Sequence, residues 1–228
     1  MQAGEVIGEA WGLYKTHWRH LLPIAAVFYL VIALATLLLT LLFGILGAVV
    51  AGVGSIVGYF WLAGALTEAV SDIRDGRADL SVQDTFSRVW PRVWTLLGAG
   101  ILAGLGIALG LVLLIVPGLV LLTWWSLISP AIVLEGKGVM EAFGRSRELV
   151  SGYGWSVFAV VILTVLISFA IGIAVSIALA WLPDAGSSFL SGLINGTLTA
   201  PFVALAWTLM YFRLRDLKEA PEPAPVAA

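Results

Sequence analysis

Residues 20–67 read HLLPIAAVFYLVIALATLLLTLLFGILGAVVAGVGSIVGYFWLAGALT, without one Asp, Glu, Lys or Arg between Arg19 and Glu68. A bilayer core of ~30 Å needs about 20 helical residues at ~1.5 Å each, so this stretch holds enough chain to cross twice. Three further stretches lack charge: Val93–Leu134, long enough for two crossings, and Leu149–Pro183 and Ala185–Phe212, one each. The count predicts an all-α integral membrane protein with six transmembrane helices.

Composition agrees. The chain has 228 residues, 61% apolar and 11% charged, with a mean hydropathy of +1.04; soluble domains are ~45–50% apolar and ~25% charged. A net charge of −2 without a basic block excludes nucleic acid as a partner. Cysteine is absent, which removes disulfides and thiolate metal sites.

Local signals place the spans at about Leu22–Leu46, Ala48–Ala69, Val93–Ile115, Leu119–Leu134, between Trp155 and Trp181, and Ser188–Phe212, with breaks at Pro117-Gly118 and Pro183–Gly186. Six crossings put all 12 basic residues on one face. The positive-inside rule makes that face cytoplasmic, with both termini inside. The first residues carry Glu5 and Glu9 and lead into an apolar run too long for a cleavable signal. Residues 1–219 are expected to form one membrane domain. Residues 220–228, with Pro221, Pro223 and Pro225, have the composition of a disordered tail.

An amphipathic segment precedes each odd-numbered span. Ile7, Trp11, Tyr14 and Trp18 form one stripe; Val82, Phe86, Val89 and Val93 a second; Val139, Phe143, Ser146 and Val150 a third. Each carries an acid, a small residue and an aromatic: Glu9-Ala10-Trp11, Asp84-Thr85-Phe86 and Glu141-Ala142-Phe143. The pattern predicts three parallel repeats, each a cytoplasmic interfacial helix followed by a hairpin of two spans. The aromatics are expected to face the bundle or acyl chains and the acids the headgroup water. Ser81 and Asp84 match a helix-start capping box.

The run Pro117-Gly118-Leu119, Trp124-Trp125-Ser126-Leu127, Ser129-Pro130, Glu135-Gly136, Glu141-Ala142, Arg145-Ser146, Leu149-Val150, Gly152 and Trp155 resembles a bacterial membrane domain. That domain is attached to some glycerophosphodiester phosphodiesterases and also has stand-alone relatives. Pro201, in a last span ending Tyr211-Phe212-Arg213-Leu214-Arg215, is similar too. The resemblance implies a six-span fold in the bacterial cytoplasmic membrane. It implies no catalytic residues, because these residues include no soluble phosphodiesterase domain.

Few residues offer chemistry. No charge lies near the middle of any predicted span; Glu68 and Glu135 sit at cytoplasmic ends. His17 and His20 could share a helical face, but lack the further ligands a metal needs, so anchoring at the interface is the better account. Both precede the first span, out of reach of a membrane serine. Glycines at 54/58, 100/104, 106/110 and 192/196 form G-x-x-x-G pairs, read as packing within the bundle or as an oligomer contact. No cofactor is expected.

Two site readings remain. Arg88, Arg92, Arg145, Arg147, Arg213 and Arg215 form a cytoplasmic rim that could attract anionic lipid, or could only set topology. Arg145 could instead pair with Glu141. Ser129, Asn195, Thr197 and Thr199 are the candidate interior polar groups. The leading expectation is a non-catalytic protein binding lipid or a membrane-protein partner, such as a second copy of itself. The alternative is a small transporter or channel for an apolar or amphipathic solute, which would need a mid-depth cavity lined by those four residues.

Overall fold

The computed structural model describes residues 2–77 and 79–219. Within them the chain forms helices α1 (Ala3–Arg74), α2 (Val82–Val89), α3 (Val93–Leu113), α4 (Ile115–Trp124), α5 (Ile128–Glu135), α6 (Val139–Val150), α7 (Gly154–Ala178) and α8 (Asp184–Glu219). A 3₁₀ turn over Trp90–Arg92 joins α2 to α3, and no strand occurs among the described residues. The tail at 220–228 lies outside them.

The long α1 is not one rod. Its helical path is interrupted at His17 and again at Gly44, where φ is 58° and ψ −134°. That conformation is open to glycine and strained for other residues. Beyond it the chain runs back beside itself: a methyl at Gly47 would stand 1.8 Å from the Leu39 carbonyl oxygen, and one at Gly58 2.9 Å from the Phe28 ring. The element is therefore an amphipathic arm, 3–16, followed by a hairpin with limbs 18–43 and 45–74. A second hairpin joins α3 to α4 at Leu114, which is extended (φ −157°, ψ 134°). There Gly110 and Gly118 bring the two backbones together, a methyl on Gly110 falling 2.9 Å from the Gly118 Cα. A third joins α7 to α8.

The break expected at Pro117-Gly118 thus occurs three residues earlier. Pro117 sits inside the first turn of α4, where a helix has no partner for the missing N–H. Similarly the turn expected at Pro183–Gly186 lies at residues 179–183, with α8 beginning at Asp184.

Five helical stretches are long and apolar enough to cross a membrane: Ala3–Arg74, Val82–Leu113, Ile115–Glu135, Gly154–Ala178 and Phe189–Glu219. The tips of the first two hairpins expose large apolar side chains, including Leu41, Phe43, Ile45, Val112 and Leu113. A continuous belt of this kind suits hydrocarbon and not water. The chain is an all-α membrane protein.

The tightest packing lies at the opposite end from the tips. There Leu62, Leu66 and Val70 cluster with Leu127, which precedes α5, Ile132 of α5, Leu149 of α6, and Leu205, Met210 and Tyr211 of α8. All three amphipathic segments are helical and pack around this core. The small residue of each triplet, Ala10, Thr85 or Ala142, is fully buried, while Glu9, Asp84 and Glu141 are exposed. Ser81 caps α2 by accepting from the Asp84 N–H at 3.1 Å.

Each amphipathic helix grips the returning limb of a different hairpin. Phe86 meets Trp61 edge-on at 5.1 Å between centroids, and Trp61 Nε1 donates to the Phe86 carbonyl at 2.9 Å. Phe143 meets Trp125 edge-on at 4.9 Å. Trp11 and Tyr14 of the first arm meet Phe202 of α8 at 6.2 and 6.3 Å, and the Tyr14 hydroxyl donates to the Leu198 carbonyl at 3.1 Å. The first helix thereby closes a ring with the last. Trp11 also stacks on Tyr14 at 5.7 Å and keeps 48% of its surface exposed.

Candidate functional site

Two places gather polar groups: a charged floor at the terminal end of the bundle and a neutral cavity above it.

On the floor, Glu135 ends α5, held in place by the left-handed Gly136 (φ 67°) that terminates the helix. Its carboxylate accepts from Arg145 Nε at 2.8 and 3.0 Å and from the Tyr211 hydroxyl. Arg145 also bonds Glu219 and lies 3.3 Å from Glu148, while Lys137 stands 3.9 Å from Glu135. The cluster ties α5, α6 and α8 together. Burial works against the Arg145 charge, but the bonds to Glu135, Glu219 and Glu148 hold its pKa above the ordinary arginine value. Glu141 is not its partner; that carboxylate accepts from the Gly138 N–H at 3.0 Å and caps α6.

The other rim arginines divide. Arg213 reaches Glu5 at 3.0 Å and Glu9 at 2.8 Å, and Arg88 reaches Glu68 at 3.5 Å. Arg215 lies over the Phe212 ring at 5.0 Å and 3.9 Å from Asp216. Arg147 lies over the Trp124 ring at 4.6 Å; among the described residues neither it nor Arg92 forms an ion pair. Most of the rim is therefore spent on internal acids that the sequence places far away, Glu5 and Arg213 being 208 positions apart.

Above the floor, a cavity of about 450 Å³ lies between the returning limb 45–74 and helices α5, α7 and α8. Its walls are largely apolar, with Tyr29, Tyr59, Thr67, Ser129, Thr164, Ser168, Thr199, Trp207 and Thr208 interspersed. Among its lining residues there is no Asp, Glu, Lys, Arg or His. Thr164 and Thr199 return their hydroxyls to backbone carbonyls one turn earlier, Val160 at 2.7 Å and Asn195 at 2.8 Å. Ser129 Oγ, Trp207 Nε1 and Thr208 Oγ1 are buried without a hydrogen-bond partner. In a membrane interior each such atom costs free energy, about 1–3 kcal/mol by mutational measures. All three belong to residues that line this one hollow.

Ser168 lines both this cavity and a cleft of about 440 Å³ between α7 and α8, where Ser176, Ser191 and Asn195 also lie. Asn195 Oδ1 is likewise buried without a partner. Of the four interior residues named from sequence, Ser129 and Thr199 thus line the cavity, Asn195 the cleft, and Thr197 neither. The groups that sequence reading missed are Trp207, Thr208, Thr164 and Ser168. The i, i+4 spacing of Thr164 and Ser168 was a usable signal. Trp207 was not, since a tryptophan in a span reads first as an interfacial anchor.

His17 Nδ1 lies 3.3 Å from the Leu13 carbonyl oxygen at the break in α1, and His20 Nε2 is buried without a partner. Among the described residues, no three His, Cys, Asp or Glu residues assemble as a metal site. At least one glycine of each G-x-x-x-G pair faces a neighbour inside the bundle: Gly58 the Phe28 ring, Gly100 the Phe60 ring, Gly106 Trp125, and Gly196 Tyr29, while Gly54, Gly104 and Gly192 face open space. Gly110 packs on Gly118 as described.

Comparison with protein-family models, with curated proteins and with solved structures returned no match.

Proposed function

We propose that this chain crosses the membrane six times, with both termini cytoplasmic, and binds a membrane amphiphile without catalysing a reaction on it. The observation that carries the reading is the neutral cavity with three unpartnered polar atoms, Ser129 Oγ, Trp207 Nε1 and Thr208 Oγ1. A receptor of that character takes a small polar group attached to an apolar body. Bending of α1 at Gly44 supports six crossings, because limbs 18–43 and 45–74 each have the length that one crossing needs. The common burial of Ala10, Thr85 and Ala142, and the three aromatic seams, support reading the bundle as three related hairpin units. Exposed Arg147 and partly exposed Arg92 are left to meet anionic headgroups at the inner surface.

Native mass spectrometry of the protein released from nanodiscs tests the reading. A lipid-sized adduct should be retained, and Ala204→Phe, which fills the cavity, should abolish it at unchanged helicity. Retention unaltered by Ala204→Phe would refute the cavity as the site. Topology is tested on this cysteine-free chain by Lys137→Cys, which should be labelled only from the cytoplasmic side; labelling from outside would overturn six crossings.

A further inference from the structure

We infer that the amphiphile's polar end is uncharged and accepts a hydrogen bond from Trp207, and that it reaches the cavity from the outer side through the α7–α8 cleft. This rests on the amphiphile-binding reading above and adds the ligand's chemistry and its route.

The chemistry follows from the unpartnered atoms. An indole N–H only donates, so Trp207 Nε1 requires an acceptor; Ser129 and Thr208 hydroxyls can each donate or accept. An alcohol, ester or amide oxygen satisfies all three. A phosphate or ammonium does not, because a buried charge needs a counter-charge and none lines the cavity. The charges beyond its walls are already paired, Glu135 with Arg145 and Lys137 on the floor and Glu68, next to the lining Thr67, with Arg88.

The route follows from which side is sealed and which adjoining cleft carries polar groups. Below the cavity, Leu127, Ile132, Leu205 and Met210 are fully buried, and the Tyr211 hydroxyl is fastened to Glu135 one turn beyond Thr208. On the opposite side two clefts adjoin the cavity: one in the α1 hairpin, sharing Tyr29, Tyr59 and Phe60 and adding only Ser55 as a further polar residue, and the α7–α8 cleft, which shares Ser168 and carries Asn195, Ser176 and Ser191 toward the α7–α8 turn. A neutral head moving along this path meets a polar group at each stage: Ser191 or Ser176, then Asn195, then Ser168, then Trp207. Its chain can remain against Phe169, Ile173 and Ile177 of α7.

Ser191→Cys supplies the probe. In oriented proteoliposomes its alkylation by a membrane-impermeant maleimide is followed with the reagent on either side. Three probes of equal chain length are compared at pH 7.5: 1-dodecanol, dodecyl phosphate and dodecyltrimethylammonium. The cysteine should react only from the outer side. Dodecanol should slow the reaction about fivefold or more and the charged probes less than about twofold, while Trp207→Phe should remove most of the dodecanol effect, as loss of one hydrogen bond predicts. Ser176→Cys, across the cleft, repeats the measurement if Ser191→Cys does not fold. Reaction only from the inner side overturns the route. Equal protection by all three probes overturns the neutral-head assignment while leaving an amphiphile-binding cavity standing. Protection by none overturns the inference, and the Ala204→Phe adduct experiment then decides separately whether the cavity binds lipid at all.

Discussion

Ser146 stitches a break in another helix: its hydroxyl donates to the Trp124 carbonyl at 2.6 Å and accepts from the Leu127 N–H at 3.1 Å. The helical path from α4 to α5 lapses over residues 125–127, freeing backbone groups that membrane surroundings cannot hydrate. A fully buried serine on α6 supplies both partners at once. Ser146→Ala should therefore cost about 2–4 kcal/mol, the loss of two bonds to buried groups. Thermal unfolding in nanodiscs measures it. Ser146→Thr, which keeps the hydroxyl, should recover part of the loss if the extra methyl is accommodated.

Arg145 and Arg147 should behave oppositely although two residues apart. Arg145 is 14% exposed and holds Glu135, so Arg145→Ala leaves a half-buried carboxylate with only the Tyr211 hydroxyl and Lys137 at 3.9 Å and should destabilise by about 2–4 kcal/mol. Arg147 rests on Trp124 at the surface, and Arg147→Ala should change stability by about 1 kcal/mol or less. Melting temperatures of the single variants in uncharged nanodiscs decide this. Anionic nanodiscs should restore a lipid-dependent difference only to the variant lacking Arg147.

Gly44→Ala places a Cβ on a residue with φ of 58° and ψ of −134°, at an expected cost of about 1–3 kcal/mol. Gly104→Ala is the matched control. It sits in α3 with no atom within 4 Å of the new methyl, so it should be neutral or stabilising by up to about 1 kcal/mol. Comparable losses at both sites would contradict a tight reversal at Gly44.

Trp61→Phe keeps the edge-on contact with Phe86 but removes the 2.9 Å bond to the Phe86 carbonyl. The expected loss is about 0.5–1.5 kcal/mol. Hydrogen exchange of α2 should rise with it.

Helix class, the apolar belt and the three amphipathic segments were legible because each depends on a local period or on the spacing of charges. The Ser81–Asp84 cap is equally local, and half of the expected box forms: Ser81 accepts from the Asp84 N–H, while the Asp84 carboxylate takes the Ser81 hydroxyl in place of its N–H. What escaped was relational. Pro117 reads as a breaker, yet its place in the first turn of α4 depends on where Leu114 turns the chain. Arg145 offers Glu141 at the favourable spacing, but the carboxylates that hold it most closely come from the ends of α5 and α8. The cavity belongs to no segment: Ser129, Thr164 and Thr208 are ordinary helix residues until three helices face one another.

The ring closed by the first and last helices also has a consequence in time. The Tyr14 hydroxyl binds the Leu198 carbonyl, and Glu5 and Glu9 bind Arg213. A chain emerging from the ribosome makes the arm first and its partner last. Until α8 is inserted, the arm's carboxylates and the Tyr14 hydroxyl must be served by water and headgroups at the membrane surface. Docking of α8 beneath the arm therefore has to follow the making of all three hairpins. Truncation within α8 would leave the earlier hairpins in place but the arm without Leu198 and Arg213, its partners.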